Sequence, residues 1–542
     1  ATPRVSDSTR GFVLTHLDMT SNMGNPLLLP EITQYIFSLS GNREQLDLAY
    51  TCKRLFNLIA PLIWENIRGV GIIMSLIPGV KIMKEYIEDE HGTVTKTLTH
   101  ILVDETSFTE DWTRYWIYAP FVQHITPFVS DDRSYGDNLH VHGWPFLFMR
   151  LNGDTLLPNL RSVDTVRQYM SPCFDQLAWV VLFSSPSLEK WYLGNIQWDK
   201  GSHDLPIRPF DLLLGAISNY FSSDSSQVIP TRDEWHPSEQ ALDSVAFESL
   251  NSSEYETGFY WFNELSAPIN LQYLEIHLSP LTNVLWDELH VLGCLPLLQG
   301  LHIRFANMAG GIEENFNKAP LPSDLFPSLK KLCLIMMPNV RLFEWVWRLK
   351  PLVSKLLSAQ IGGWKVGSDT ETFTPIIVRL LHENSPMLEV LDFDLKMNKR
   401  ELGLLETACE VLSTISLKTL TLSGREIGAF PPTYSKTTFP YLYHLRLQAE
   451  CHTAGCATFP MIAKAFPNIE YLYVDPLSHP KPYNLSDMKI DHTAFQSIKI
   501  YIPALGLPRK RGGEKQRRFI HSLLQLWPNA FLAKRDNPPA FM

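Results

Sequence analysis

The chain is short of cations, glycine and cysteine, and it has no long apolar run. With 47 Lys and Arg against 57 Asp and Glu its net charge is −10, so it offers no general basic face for the phosphates of a nucleic acid. Seven cysteines (52, 173, 294, 333, 409, 451 and 456) are too few and too scattered among 542 residues for a disulfide framework. Their odd number fits reduced thiols, and the expected setting is intracellular, in cytoplasm, nucleus or both. The longest apolar stretches, around residues 70–77 and 177–183, fall far short of the ~20 residues that span a bilayer. No membrane partner is expected, and the opening residues lack the apolar core of a secretory signal. The sequons at Asn251 and Asn484 read as chance.

Catalytic signatures are missing as well. There is no phosphate-binding Gly-x-x-x-x-Gly-Lys loop, no Gly-x-Ser-x-Gly elbow and no His-Glu-x-x-His helix. Gly69-Val-Gly71 lacks the third glycine of a dinucleotide fingerprint. Cys451, His452 and Cys456 near His444, and His140 and His142 near His124 and Asp137, are the only metal-like groupings. Neither has a second ligand pair at metal spacing. No enzyme activity and no cofactor is expected. The basic run Arg509-Lys-Arg511 with Lys515, Arg517 and Arg518 reads as a solvated loop before a last helix over 519–527, a nuclear import patch being the alternative.

Proline is present in excess: 38 against 28 glycines, about 7% and 5% where about 5% and 7% are usual. The prolines punctuate a repeat, Pro-x-Leu-x-x-Leu-x-Leu. Good copies begin at Pro186, Pro296, Pro327, Pro386, Pro440 and Pro467, with weaker ones at Pro120, Pro158, Leu271 and Leu417. The first apolar positions fall at 122, 160, 188, 271, 298, 329, 388, 417, 442 and 469, so most steps are 25–31 residues and the step of 59 is close to two units. Such a period with strand-like leucines is a leucine-rich-repeat signature. The leucines face a stacked core, a helix or irregular arc returns outside, and proline ends each return. Residues 375–381 and 461–466 read as such helical returns. The alternative is a conventional α/β domain with leucine-rich strands. The step of 83 holds the Ser-rich, acidic stretch 221–257, read as a solvated loop insertion, with a phosphorylatable segment or a degenerate repeat as alternatives. Alternate strand residues should line the concave face: Tyr192, Tyr273, Glu275, His277, His302, Arg304, Asp392, Asp394, His444, Arg446, Tyr471 and Tyr473. Tyr192, Tyr273, His277, Arg304, Asp392, Arg446, Tyr471 and Tyr473 are the candidate contacts to a protein substrate, since Tyr and Arg dominate binding hot spots. Their mixed charge points to no single class.

Ahead of the repeats, residues 1–25 read as a flexible tail and 26–68 as a compact module of three short helices. A second helix runs from Leu46 to Cys52, and a third is broken at Pro61. Residues 69–119 read as a connecting segment or a first degenerate repeat, and 120–542 as the repeat domain. Three helices in some forty residues bury their apolar surface poorly, so a partner is expected.

The pattern Leu29-Pro30-Glu31-Ile32, Ile36-Phe37, Leu48, Cys52-Lys53-Arg54-Leu55-Phe56 and Leu62-Ile63-Trp64 resembles an F-box. With the repeats, the chain resembles a fungal-type leucine-rich-repeat F-box protein. The resemblance implies an α/β fold: a small three-helix F-box followed by a leucine-rich-repeat solenoid. It implies docking on the Skp adaptor of a cullin–RING ubiquitin ligase, with Leu29, Pro30, Ile32, Ile36, Leu48 and Trp64 as adaptor contacts or their supports. The repeats would capture a protein substrate, and no ATP, metal or catalytic residue is implied. The alternative is a repeat scaffold whose F-box-like helices only cap the solenoid.

Overall fold

A computed structural model describes residues 29–88, 94–127, 138–165, 173–193, 209–224, 267–278, 285–305, 320–337, 340–362, 373–394, 404–424, 437–449, 458–475, 499–501 and 531–533. The protein is α/β. Among the described residues, fourteen parallel strands form one sheet in which each strand lies beside the next main-sheet strand in the chain. Helices such as Leu285–Gly293, Phe373–Asn384 and Thr458–Ala465 connect the strands. A sheet wound in one direction by crossovers of one hand carries its connecting helices on one side, a solenoid-like arrangement in which the described helices cover one face and leave the other open.

The register explains why leucine recurs. Ile67, Ile125, Val163, Trp191, Leu274, Leu301, Leu332, Ala359, Leu391, Leu420, Leu445 and Leu472 align strand to strand as one buried row. Two residues on, Ile276, Ile303, Leu334, Ile361, Phe393 and Leu422 form a second. Both rows belong to a single core that takes in the helices. The strand Ser358–Gly362 supplies the unit concealed in the 59-residue step, where alanine stands in the leucine row. Across the 83-residue step no strand intervenes in the sheet, because Lys190–Tyr192 pairs directly with Tyr273–Glu275. It contains the helix Pro209–Asp224, and residues 225–257 of the acidic stretch lie outside the described residues.

Each repeat proline occupies the second position of a tight turn. The Leu188 N–H donates to the Ser185 carbonyl at 3.0 Å across Pro186, and Leu388 to Ser385 at 3.2 Å across Pro386. The same bond spans Pro158, Pro327 and Pro467. Proline fixes the φ that this turn position needs and cannot continue the helix behind it. The next residue clamps the stack. Asn159 Nδ2 donates to the Pro120 carbonyl, Ser328 Oγ to Pro296 and Asn468 Nδ2 to Pro440, at 2.8, 2.6 and 2.6 Å. Asn270 Nδ2 reaches the Pro186 carbonyl at 2.8 Å, across the longest connection. Asn270→Ala should therefore cost about 1 kcal/mol in urea denaturation; no measurable change would remove the clamp from the account.

The N-terminal part differs from expectation in four places. Helix α2, Asn42–Tyr50, ends before Cys52, whose sulfur instead caps α3, Lys53–Trp64, by accepting from the Leu55 N–H. Helix α3 continues through Pro61; the carbonyl deprived of a partner belongs to Asn57, an exposed residue that water can reach. The main sheet begins at Asn66–Arg68, inside the segment assigned to the helical module, and pairs with His124–Thr126. Residues 80–142 contribute a separate three-stranded sheet, Val80–Glu88, Val94–Val103 and Asn138–His142, rather than a degenerate repeat. Its strands alternate without the Pro-x-Leu turn, so nothing ties them to the main register.

Candidate functional site

Two surfaces collect the predicted residues. The first is made by α1 (Pro30–Leu39), α2 and α3. Pro30 sits in the first turn of α1, where its missing N–H costs nothing, and Glu31 faces the positive helix end. This unit has a core of its own, Ala49, Leu55 and Ile59, against which Phe37, Leu48, Phe56 and Ile63 pack. Such a core is too small to gather the remaining apolar side chains. Leu29, Ile32, Tyr35, Leu39, Leu46 and Tyr50 are all exposed, Leu39 by 70% and Tyr50 by 78%, and the only buried residue of α1 is Thr33.

The predicted adaptor residues divide accordingly. Leu29, Pro30 and Ile32 lie on the open surface, while Ile36 is half-buried. Leu48 packs into the small core. Trp64 stacks on Tyr118 with ring centroids 4.6 Å apart and joins the main core, so it anchors the helices to the sheet. Tyr35, Leu39, Leu46 and Tyr50 were not among the predicted contacts; the signal available was helical spacing, since Tyr35 and Leu39 follow Ile32 by three and seven residues and Tyr50 follows Leu46 by four.

The second surface is the open face of the main sheet. One register row there reads Asp164, Tyr192, Glu275, His302, Cys333, Gln360, Asp392, Thr421, Arg446 and Tyr473. The row beside it holds Lys190, Tyr273, Gly300, Lys331, His444 and Tyr471. At its centre His302 Nδ1 meets Glu275 Oε2 at 3.1 Å, with both residues nearly sealed. Tyr192 and Tyr273 lie with centroids 5.2 Å apart. A Cβ at Gly300 would come within 2.7 Å of the Tyr273 ring, so the glycine is the socket in which that ring rests. Cys333 Sγ donates to Gln360 Oε1 at 3.1 Å.

Burial, and then the Glu275 carboxylate, push both the Tyr192 and the Tyr273 hydroxyls above the ordinary phenol range. The same causes, with Asp392 added, raise the Cys333 thiol well above its usual value, and Arg304 offsets only part. Glutamate, histidine and cysteine thus stand side by side, but the thiol is held protonated and is a poor nucleophile.

Farther along, Arg446 lies over the Tyr473 ring at 4.7 Å and His444 meets Tyr471 edge-on at 5.7 Å. Tyr471 and Tyr473 are buried, 6% and 7% exposed, contrary to the exposure that strand alternation suggests: their neighbours on the face already occupy them. The side chains of His277 and Asp394 lie outside the described residues. Cys333, Gln360 and Gly300 were missed; aligning the repeats position by position would have placed them in the same rows.

Among the described residues no group of three His, Cys, Asp or Glu is arranged to hold a metal. His140 and His142 instead join His100 on the small sheet, where His100 Nδ1 lies 3.1 Å from His142 Nε2 and His100 Nε2 lies 3.2 Å from Glu85. Burial, and then His100, hold His142 below the usual imidazole range. Cys451, His452, Cys456, Asp137 and the basic run at 509–518 lie outside the described residues. No described helix is long and apolar enough to cross a membrane. No protein-family model matches the chain, and no curated protein does.

Proposed function

We propose that this chain is the substrate-receptor subunit of a Skp–cullin–F-box ubiquitin ligase. Helices α1–α3 serve as the F-box, and the strand–helix units serve as leucine-rich repeats that capture a protein. The observation that carries this reading is the set of large apolar side chains left exposed just before α1 and on α1 and α2, Leu29, Ile32, Tyr35, Leu39, Leu46 and Tyr50, beside a core cluster of three buried residues. Large apolar side chains left exposed on short helices are the kind of surface that a protein contact covers, and Leu29, Pro30 and Ile32 of the F-box-like pattern are among the exposed residues. Ubiquitin transfer would be performed by the other subunits.

The test is co-purification with a Skp-type adaptor. Replacing Leu29 and Pro30 together with alanine should lower adaptor recovery at least tenfold, because interface anchors contribute about 2 kcal/mol or more each. The small core is untouched, so circular dichroism should not change. Full recovery by the double variant would sink the F-box assignment.

The rival reading, a repeat scaffold capped by these helices, draws on a specific observation. Helix α3 runs directly into the first strand and Trp64 stacks on Tyr118. Solubility separates the two. A receptor expressed alone should aggregate through its apolar face and be rescued by the adaptor, whereas a capped scaffold should be soluble unaided.

A further inference from the structure

His302 and Arg304 are alternate residues of one strand, so both project from the open face, about 6.6 Å apart along the chain. His302 Nε2 and Arg304 Nε are buried, and neither has a hydrogen-bond partner. His302 itself is 9% exposed and faces Glu275 through its other nitrogen. A guanidinium nitrogen can only donate, and a buried donor without an acceptor costs about 1–3 kcal/mol. The position therefore favours whatever brings an acceptor to it.

Charge narrows the choice. Arg304, Lys190 and Lys331 share this face and make no ion pair among the described residues. The acids nearby are already engaged: Glu275 with His302, and Asp164 and Asp392 in interactions of their own. We infer that His302 and Arg304 form a subsite for a carboxylate of the captured protein, an acidic side chain laid beside the Tyr192–Tyr273 pair. This rests on the reading of the open face as the substrate-capturing surface. One carboxylate oxygen would accept from Arg304 Nε–H; His302, whose Nδ1–H is given to the Glu275 carboxylate, offers Nε2–H to the other oxygen only as an imidazolium. A dianionic phosphate would meet stronger repulsion from Glu275 and Asp392, so a singly charged group fits better.

The experiment uses the full chain and four pools of fluorescent peptides. Each pool has degenerate flanks, an amidated C-terminus and one fixed central residue: Glu, Gln, phosphoserine or Lys. The Glu pool should bind at least tenfold more tightly than the Gln pool and no less tightly than the phosphoserine pool. Arg304→Gln should erase the Glu-over-Gln preference, His302→Gln should reduce it, and Arg304→Lys should keep part of it. Circular dichroism and thermal melting confirm that the variants fold. The Leu29/Pro30 double variant should keep the preference, so a failed adaptor experiment and a failed carboxylate subsite are told apart. Equal binding of the Glu and Gln pools, tighter binding of phosphoserine, binding by none of the four, or an unchanged preference in Arg304→Gln would each overturn the inference. A free C-terminal carboxylate is the other source of this chemistry. A Gln pool with free C-termini that matched the amidated Glu pool would overturn the side-chain assignment.

Discussion

Replacing Trp347 with alanine is expected to destabilise the protein by about 3–5 kcal/mol, the usual cost of deleting a fully buried indole. Trp347 is inaccessible to solvent, stacks on Phe343 at 4.8 Å and belongs to the main core. Its Nε1–H donates to Ser385 Oγ at 3.1 Å, and that hydroxyl donates to the Val353 carbonyl at 3.1 Å. Ser385 also supplies the carbonyl that closes the turn across Pro386. One indole thus links the helix Val340–Arg348, the following short helix Lys350–Val353 and the entry to the strand Val390–Asp394. Trp347→Phe keeps most of the packing and loses only the donor, so about 1 kcal/mol is expected. In an array where units contact mainly their neighbours, weakening one junction lets the two sides unfold apart. Urea denaturation of Trp347→Ala should therefore show a lower midpoint and a shallower or split transition. A single transition of unchanged slope, displaced by less than 1 kcal/mol, would mean that this junction does not couple its neighbours.

The repeat architecture was readable because one physical demand recurs at a fixed spacing. Leu274, Leu301, Leu332, Leu391, Leu420, Leu445 and Leu472 fill the same buried row, and a turn proline precedes most of them. Where the demand is met differently, the pattern disappears. Ala359 fills the row without leucine and without a turn proline, so its strand showed only as a double step. The small sheet has no repeat to betray it, and its long strand Val80–Glu88 is exposed or half-buried along its length. On the open face, the register sets Tyr192, Tyr273, Glu275, His302 and Arg304 in neighbouring rows, a grouping that strand alternation suggests. Alternation could not show that Tyr473 is covered by Arg446, or that Gly300 exists to seat Tyr273. Those depend on side-chain directions between strands, which a single sequence does not record.

Gly143→Ala should cost about 2–4 kcal/mol and act locally. Gly143 has φ +86° and stands immediately before the helix Trp144–Leu151. It joins the last strand of the small sheet, Asn138–His142, to a helix whose Trp144, Leu147, Phe148 and Leu151 are buried in the main core. A left-handed conformation costs a residue with a Cβ about 1–2 kcal/mol. A Cβ at Gly143 would also run into the Val103 backbone carbonyl, at the end of the neighbouring strand Val94–Val103, and a backbone atom cannot rotate aside. The two causes can be separated. Asparagine tolerates the left-handed region better than alanine, as Asn152 does at the other end of the same helix with φ +47°. If conformation alone matters, Gly143→Asn should recover most of the loss; if the close approach to Val103 dominates, it should be no better than alanine. The second result is expected, because the carbonyl contact is the same for either side chain. Hydrogen exchange should show reduced protection over 94–103 and 138–142, with the strands from Tyr273 onward unchanged. Rescue by asparagine, or loss of protection spread along the main sheet, would show that the small sheet is not held to the core through this contact.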